Sequence, residues 1–188
     1  MTDNEKYAGY LDHIQHHLGQ IRQAEAPTAE GGNRGFGIFF CQIAEGDAIS
    51  VVTNGLRFQK ITTVMPQELV CTLNEEQRDQ AHLITVLTAK LVITMGEGLM
   101  FDQVIPSPEP LVEGTDMRGV MTMAHPYCDE DFELLLDDQG RAELQIITLV
   151  PVTGAEVAFV REHGTDALLE RWEEQEVDAL DVYRASAV

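Results

Sequence analysis

The sequence predicts an α+β fold, a mixed and largely antiparallel sheet flanked by helices, built as one domain over residues 1–188. Three observations lead there. Short β-branched and aromatic runs occur in pairs joined by Gly- and Asp-containing turns, the signature of hairpins. Helical segments lie before, between and after them, but strand and helix do not alternate regularly enough for a doubly wound parallel sheet. A hydrophobic content of 44% over 188 residues supplies apolar material for one core, and no internal repeat or low-complexity tract points elsewhere.

The elements follow in order. Residues 3–25 read as an amphipathic N-terminal helix, because Tyr7, Leu11, Ile14, Leu18 and Ile21 recur at spacings of 4, 3, 4 and 3. Thr2 or Asp3 supplies its cap, and Pro27, Gly31, Gly32, Asn33 and Gly35 end it in a loop. The sheet and the central helix occupy 36–150. Residues 36–43 and 48–53 form a hairpin about Glu45-Gly46-Asp47. Thr53-Asn54-Gly55-Leu56 is a turn that uses the tolerance of Asn-Gly for positive φ, and 68–73 is a further strand. Asn74 caps a helix running to about Ile93, with Ile84, Leu87, Leu91 and Val92 inward, and Gly96-Glu97-Gly98 stops it. Prolines at 106, 108 and 110 make 105–110 a surface connection rather than a helix or a central strand. Residues 119–124 are a strand, and 131–136 and 142–150 form a hairpin about Asp137-Asp138-Gln139-Gly140, with Pro151 ending the second strand. Thr153-Gly154-Ala155-Glu156 is a capping box for a helix to about His163. After the break at Gly164 a second helix, 166–175, buries Leu168, Leu169 and Trp172. These C-terminal helices fill 153–176, and 177–188 is a tail.

The chain carries 12 Lys and Arg against 32 Asp and Glu, a formal charge of −20. That excess excludes nucleic-acid binding through phosphates, which needs cations to neutralise them, and disfavours anionic membrane surfaces. It favours cationic partners. The polar, acidic start does not read as a signal peptide, and no run approaches the roughly 20 apolar residues of a membrane span. Three widely spaced cysteines, Cys41, Cys71 and Cys128, argue against a disulfide framework and for a cytoplasmic protein.

Few constellations offer chemistry. His13 and His17 are one helical turn apart beside Asp12 and His16, a spacing that lets two imidazoles ligate one metal. The Glu of a zincin helix is missing and no partner carboxylate is identifiable, so a solvated helix face is the simpler reading. Cys128 has His125 three positions away, but a Cys–His nucleophile there lacks a third, orienting group. Cys41 and Cys71 read as small buried apolar residues. Gly96-Glu97-Gly98 lacks the Lys and Ser/Thr of a phosphate loop and puts a negative charge where the anion belongs. The run Asp129-Glu130-Asp131, with Glu133 and Asp137-Asp138, lacks EF-hand spacing. It reads as a solvated loop and hairpin tip or as a docking surface for a basic partner. Residues 170–181 hold six carboxylates against Arg171 alone. Like charges at i,i+4 cost a few tenths of a kcal/mol each, so something other than helix stability favours them. Neither a cofactor nor a metal is expected.

Several stretches resemble the suppressor of fused family. His17-Leu18-Gly19-Gln20-Ile21 is similar to its opening helix, Val52-Thr53-Asn54-Gly55-Leu56 to its Thr-x-Gly-[apolar] turn, and Glu68-Leu69-Val70-Cys71-Thr72-Leu73 to its Glu-Leu-x-x-x-Leu strand. The fullest resemblance is Leu149-Val150-Pro151-Val152-Thr153-Gly154-Ala155-Glu156 with His163-Gly164-Thr165-Asp166-Ala167-Leu168-Leu169-Glu170, which resembles Pro-[apolar]-Thr-x-x-Glu and Gly-x-x-x-Leu-Leu-Glu. Asp181-Val182-Tyr183-Arg184-Ala185-Ser186 resembles the closing Asp-x-x-Arg-x-Ser. Two stretches depart: Ala81-His82-Leu83 stands where many members have Trp-Pro-Ile, and Gly96-Glu97-Gly98-Leu99 where many have Gly-x-Gly-His.

The resemblance implies binding rather than catalysis. Animal members sequester a transcription-factor peptide as an added β-strand. Short bacterial members lack the second animal domain, and many are immunity proteins of toxin systems. The expectation is a non-enzymatic, immunity-type protein that masks a cognate toxin, with a basic toxin domain as the partner and an electrostatically steered encounter. Two readings compete with it: a regulatory adaptor that captures a peptide, and a metal-dependent hydrolase using His13, His17 and acidic side chains. The expected partner surface is the turn Thr53, Asn54, Gly55 and Leu56 together with the acidic loop Asp129, Glu130 and Asp131.

Overall fold

Strand-forming runs of Ile, Val, Phe and Thr build eight strands, β1 (Gln20–Glu25), β2 (Gly37–Gln42), β3 (Ala48–Asn54), β4 (Gln67–Asn74), β5 (Val104–Pro106), β6 (Met117–Met123), β7 (Leu134–Leu136) and β8 (Ala142–Thr153). Four helices accompany them, α1 (Tyr10–Leu18), α2 (Arg78–Met95), α3 (Gly154–His163) and α4 (Thr165–Glu174). These elements come from a computed structural model in which residues 6–27, 35–42 and 46–188 are described. The strands form one sheet in the order β1-β2-β3-β4-β8-β6-β5, with β7 beside β8. Every neighbouring pair is antiparallel except β4 with β8. The expected α+β class is the one observed.

Alternation along β8 sets the layers. Ile147 and Leu149 point into the core under α2. Leu144 and Ile146 point the other way, into the core under α1, and Val150 and Val152 into the core under α3 and α4. A strand covered on both faces reads as a continuous apolar run, which is why 144–150 shows no alternation.

Five expectations need correction. The helix foreseen over 3–25 is split. α1 ends at Leu18, Gly19 takes φ 83°, and Gln20–Glu25 becomes a strand paired with β2. The backbone of β2 offers a full ladder of partners there, and that outweighs a helical stripe that only Ile21 extended. The Thr2 or Asp3 cap lies outside the described residues, as do Gly31, Gly32, Asn33 and Glu45. Asn74 does not cap α2: its N–H donates to the Leu180 carbonyl, and a 3-10 turn, Glu75–Gln77, comes first. Leu87 and Leu91 face solvent, because α2 buries Ala81, Ile84, Thr85, Thr88, Ala89 and Val92 instead. The small ones, Ala81, Thr85, Thr88 and Ala89, let the helix lie close to the sheet, where the Thr85 hydroxyl reaches the Val51 carbonyl at 3.3 Å. The strand foreseen over 131–136 shortens to Leu134–Leu136, because 129–132 turn, with the Phe132 N–H on the Asp129 carbonyl. Pro151 does not end its strand, since β8 runs to Thr153. The Pro151 carbonyl accepts from Arg184 on the side where pairing to β4 has already stopped at Thr148. A residue's N–H and C=O point to the same side of a strand, so the missing donor breaks no ladder bond. The 105–110 segment adds only the short edge strand β5, where proline is tolerated.

Residues 177–188 are docked rather than free. Val182 and Ala187 are buried, and Arg184 reaches the carboxylate of Glu156 at 2.7 and 2.9 Å. Glu156 also completes the foreseen capping box with Thr153 and accepts from the Trp172 indole N–H at 3.0 Å and the Ala187 N–H at 3.3 Å. Burial opposes its charge, but the Arg184 fork, the Thr153 N–H and the indole outweigh it and lower the Glu156 pKa. The motif residues Thr153, Glu156, Arg184 and Ser186 thus meet in one cage, with the Ser186 and Thr153 hydroxyls 2.9 Å apart. Replacing Arg184 by Met leaves the Glu156 carboxylate buried without its cation. Urea unfolding is expected to show a loss of about 3–5 kcal/mol, and the Arg184→Met, Glu156→Gln double variant less than the sum of the two single losses.

Candidate protein-binding surface

The turn after β3 is built around a buried acid. Gly55 takes φ 115°, which begins the 3-10 turn Leu56–Phe58 and points successive N–H groups inward. Glu68, fully buried on β4, accepts from the N–H groups of Gly55 (2.8 Å), Leu56 (3.2 Å) and Arg57 (3.3 Å), from the Thr53 hydroxyl (2.5 Å) and from the Arg57 guanidinium (2.5 Å). Burial pushes the Glu68 carboxyl up, and Arg57 with these donors pulls the other way. Arg57 lies 4.5 Å over both the Tyr10 and Phe58 rings, and Tyr10 donates from its hydroxyl to the Thr53 carbonyl at 2.6 Å. The Thr-x-Gly-[apolar] turn and the Glu-Leu strand are therefore two halves of one carboxylate cage.

The acidic loop sits at the other end of α1. After β6 the chain leaves the sheet over 124–133 and returns as β7. Phe132, fully buried, stacks against His13, and its carbonyl accepts from the His13 Nε2–H at 2.8 Å. His17 Nε2 lies 3.9 Å from Asp131, and its pKa is lowered by burial and by the neighbouring His13. The histidine pair thus anchors the loop. Among the described residues no group of three His, Cys, Asp or Glu is placed to hold a metal ion. The Cys128 thiol turns to the His17 carbonyl at 3.9 Å, and burial pushes it up to about 12. Both ring nitrogens of His125 are engaged, Nδ1 by the Tyr127 N–H and Nε2 by the Thr72 hydroxyl. The thiol is protonated and has no base, so this pair cannot act as a nucleophile and its activator. Cys41 and Cys71 are buried, as expected of small apolar side chains.

α1 therefore separates the two foreseen segments, with the turn at its Tyr10 end and the acidic loop at its His17 end. Thr53 and Leu56 face inward at 0% exposure. What the turn offers a partner is the half-buried Asn54 and Gly55 and the ring of Phe58, 66% exposed. Asp129, Glu130 and Asp131 are all exposed. Sequence reasoning missed Phe58, whose signal was an aromatic directly beyond an Asn-Gly turn. It also missed Arg57 and Glu68, which only the fold brings together.

His125 carries a pH dependence. Burial and the adjacent His17 lower its pKa to about 4, against 6.5 when free. Between those values the unfolded chain binds a proton that the folded chain does not. This stability is complete above about pH 6.5 and is lost as pH falls toward 4. Urea midpoints are expected to reveal a loss of about 2 kcal/mol between pH 7 and pH 5, reduced in His125→Gln.

Comparison with known proteins fits this architecture. The family model described as suppressor of fused protein matches residues 32–185. A relative from Bacillus subtilis (strain 168), named Immunity protein YqcF, is 21% identical over 149 residues, which cover 78% of this chain and 75% of the relative. A crystal structure of a suppressor of fused homologue from Neisseria gonorrhoeae FA 1090 superposes with a TM-score of 0.73 at 19% identity, covering 97% of both chains. A chain of the Sufu–Fu complex gives 0.70 at 13% identity, covering 97% of this chain and 92% of that one. Drosophila Suppressor of Fused gives 0.62 at 14% identity, with 84% of this chain matching 44% of that one. With 32–185 matched and the fold shared over nearly the whole chain, this protein belongs to the suppressor of fused family.

Proposed function

We propose that this chain is a non-catalytic, immunity-type protein that neutralises a cognate basic toxin domain by covering it. The observation that carries the reading is where the charge lies. Two of the twelve basic side chains, Arg57 and Arg184, are spent inside the fold on Glu68 and Glu156. Asp129, Glu130 and Asp131 stand exposed on a loop held by the His13 hydrogen bond to the Phe132 carbonyl and by the packing of His13 and His17 on the buried Phe132 ring. A rigid, acidic surface speeds encounter with a basic partner and complements its face. Likeness to a protein named as an immunity protein supports the same reading. We place the contact on Asn54, Gly55, Phe58 and the Asp129–Asp131 loop, with Thr53 and Leu56 shaping the turn from within, in a protein that works in the cytoplasm.

A second reading, capture of a partner peptide as an added strand, is favoured by one observation: among the described residues β1 stands at the end of the strand order, paired with β2. Hydrogen exchange separates the two, since strand addition slows β1 amides and masking by the acidic loop does not.

The test is co-expression with the product of the adjacent gene. Protection of the host is expected from the wild type. The triple variant Asp129→Ala, Glu130→Ala, Asp131→Ala is expected to bind that product roughly tenfold or more weakly, with a shallower dependence on salt. Unchanged affinity and salt dependence would move the contact elsewhere.

A further inference from the structure

α2 carries a second surface. Its buried stripe mixes Ala81, Thr85, Thr88 and Ala89 with Ile84, Val86 and Val92, while four further large apolar side chains point out: Leu83 is 41% exposed, Leu87 44%, Leu91 39% and Met95 55%. Set four residues apart, they run as a strip roughly 18 Å long and one helix, about 10 Å, wide. Of the charged residues of α2, Asp79 and Lys90 are exposed and opposite in sign, so the strip is locally neutral on a chain of net charge −20. Isolated exposed apolar side chains need no explanation, but three leucines and a methionine in line on one helix are the usual mark of a contact surface.

The N-terminal end of the strip is acidic. Leu83 shares a hollow with Asp79, Glu113 and Tyr183, and Tyr183 is held over α2 by a 3.2 Å hydrogen bond from Gln80. A neighbouring hollow is lined by Asp47, Glu75, Glu76 and Asp181. Arg78, the nearest cation, is turned away onto the Phe40 ring, 4.1 Å off, and hydrogen-bonded to Gln23.

From this pattern we propose that the outer face of α2 docks a partner's amphipathic segment, apolar along the strip and basic where it crosses the carboxylates at the Asp79 end. This rests on reading the chain as a protein-binding domain and gives that domain a contact separate from the α1 side of the sheet. Two arguments select a basic partner over a second copy. Two chains of charge −20 repel, and they would bring like carboxylate clusters to one interface. The strip is also far smaller than the ~800 Å² per side that stable complexes bury. A helix laid along it fits its length and width.

The probe is an amphipathic Leu–Lys helical peptide, with the Leu–Glu peptide of the same pattern as control, titrated against the full chain by fluorescence anisotropy. The wild type is expected to bind Leu–Lys and not Leu–Glu. The Leu87→Glu, Leu91→Glu variant is expected to weaken binding roughly tenfold or more. Glu75→Lys with Glu76→Lys should weaken it less and flatten its salt dependence, and Leu11→Ser, at an exposed position on α1 across the sheet, should leave it unchanged. Every substituted side chain is exposed, so circular dichroism and urea midpoints should match the wild type. Equal binding by the Leu87→Glu, Leu91→Glu variant overturns the proposal. So does a wild-type dimer, seen in sedimentation and abolished by Leu87→Glu, which would assign the face to self-association. The co-expression assay answers a different question: failure of the wild type to protect rejects the toxin reading, and the peptide titration still decides the surface.

Discussion

β8 is the element through which the sheet becomes one body. It pairs in parallel with β4 and antiparallel with β6 and β7, joining the β1–β4 meander to the second half of the chain. Its alternating side chains serve three separate cores. Parallel pairing with β4 requires a long crossover, and residues 75–141 supply it, with α2 covering one face on the way. The opposite face is left to be covered piecemeal, by α1 at one end and by α3 with α4 at the other. The excursion over 124–133 fits between them. That division explains why both foreseen partner segments cluster about α1, while the leucine strip lies on the far side.

Two buried ion pairs lock the ends of this arrangement. Glu68 with Arg57 fixes the turn under α1, and Glu156 with Arg184 fixes the chain end under α3 and α4. Each carboxylate gathers several N–H or O–H donors besides its arginine, the condition under which a buried charge is tolerated. In both pairs the arginine also lies over an aromatic ring, Tyr10 and Trp172 respectively. Each arginine nevertheless keeps a buried Nε without a partner. These pairs therefore act as much to specify one arrangement of the chain as to add net stability.

The local devices were legible in the sequence. The Thr153–Glu156 capping box, the hairpins and the Asn-Gly turn each state their geometry within a few residues, and each is present. The Glu68 and Glu156 cages were legible only as scattered motif letters, because each carboxylate and its arginine stand 11 and 28 residues apart respectively and meet only once the chain folds. Where the sequence misled, a tertiary term reversed a local one. Ile21 extends a helical stripe, yet the open edge of β2 draws it into a strand. Leu87 and Leu91 look like core by type, yet the close approach of α2 to the sheet admits Ala81, Thr85, Thr88 and Ala89 instead. At the candidate site the acidic loop was legible from charge alone. The inward turn of Thr53 and Leu56 was not, because a turn signal does not say which side faces the core.

The distribution of carboxylates separates structure from surface. The buried acids Glu68 and Glu156 are saturated with donors, whereas among the described residues the basic side chain nearest those of the 129–131 loop is His17, 3.9 Å from Asp131. A fold that needed its acids only for solubility has no reason to anchor that loop through Phe132 and two histidines, since a mobile loop solubilises equally well. Anchoring removes the ordering entropy that a partner would otherwise have to overcome on binding. The His13 contact to the Phe132 carbonyl and the burial of that ring therefore hold the loop in one place, which is what the proposed contact with a basic partner needs.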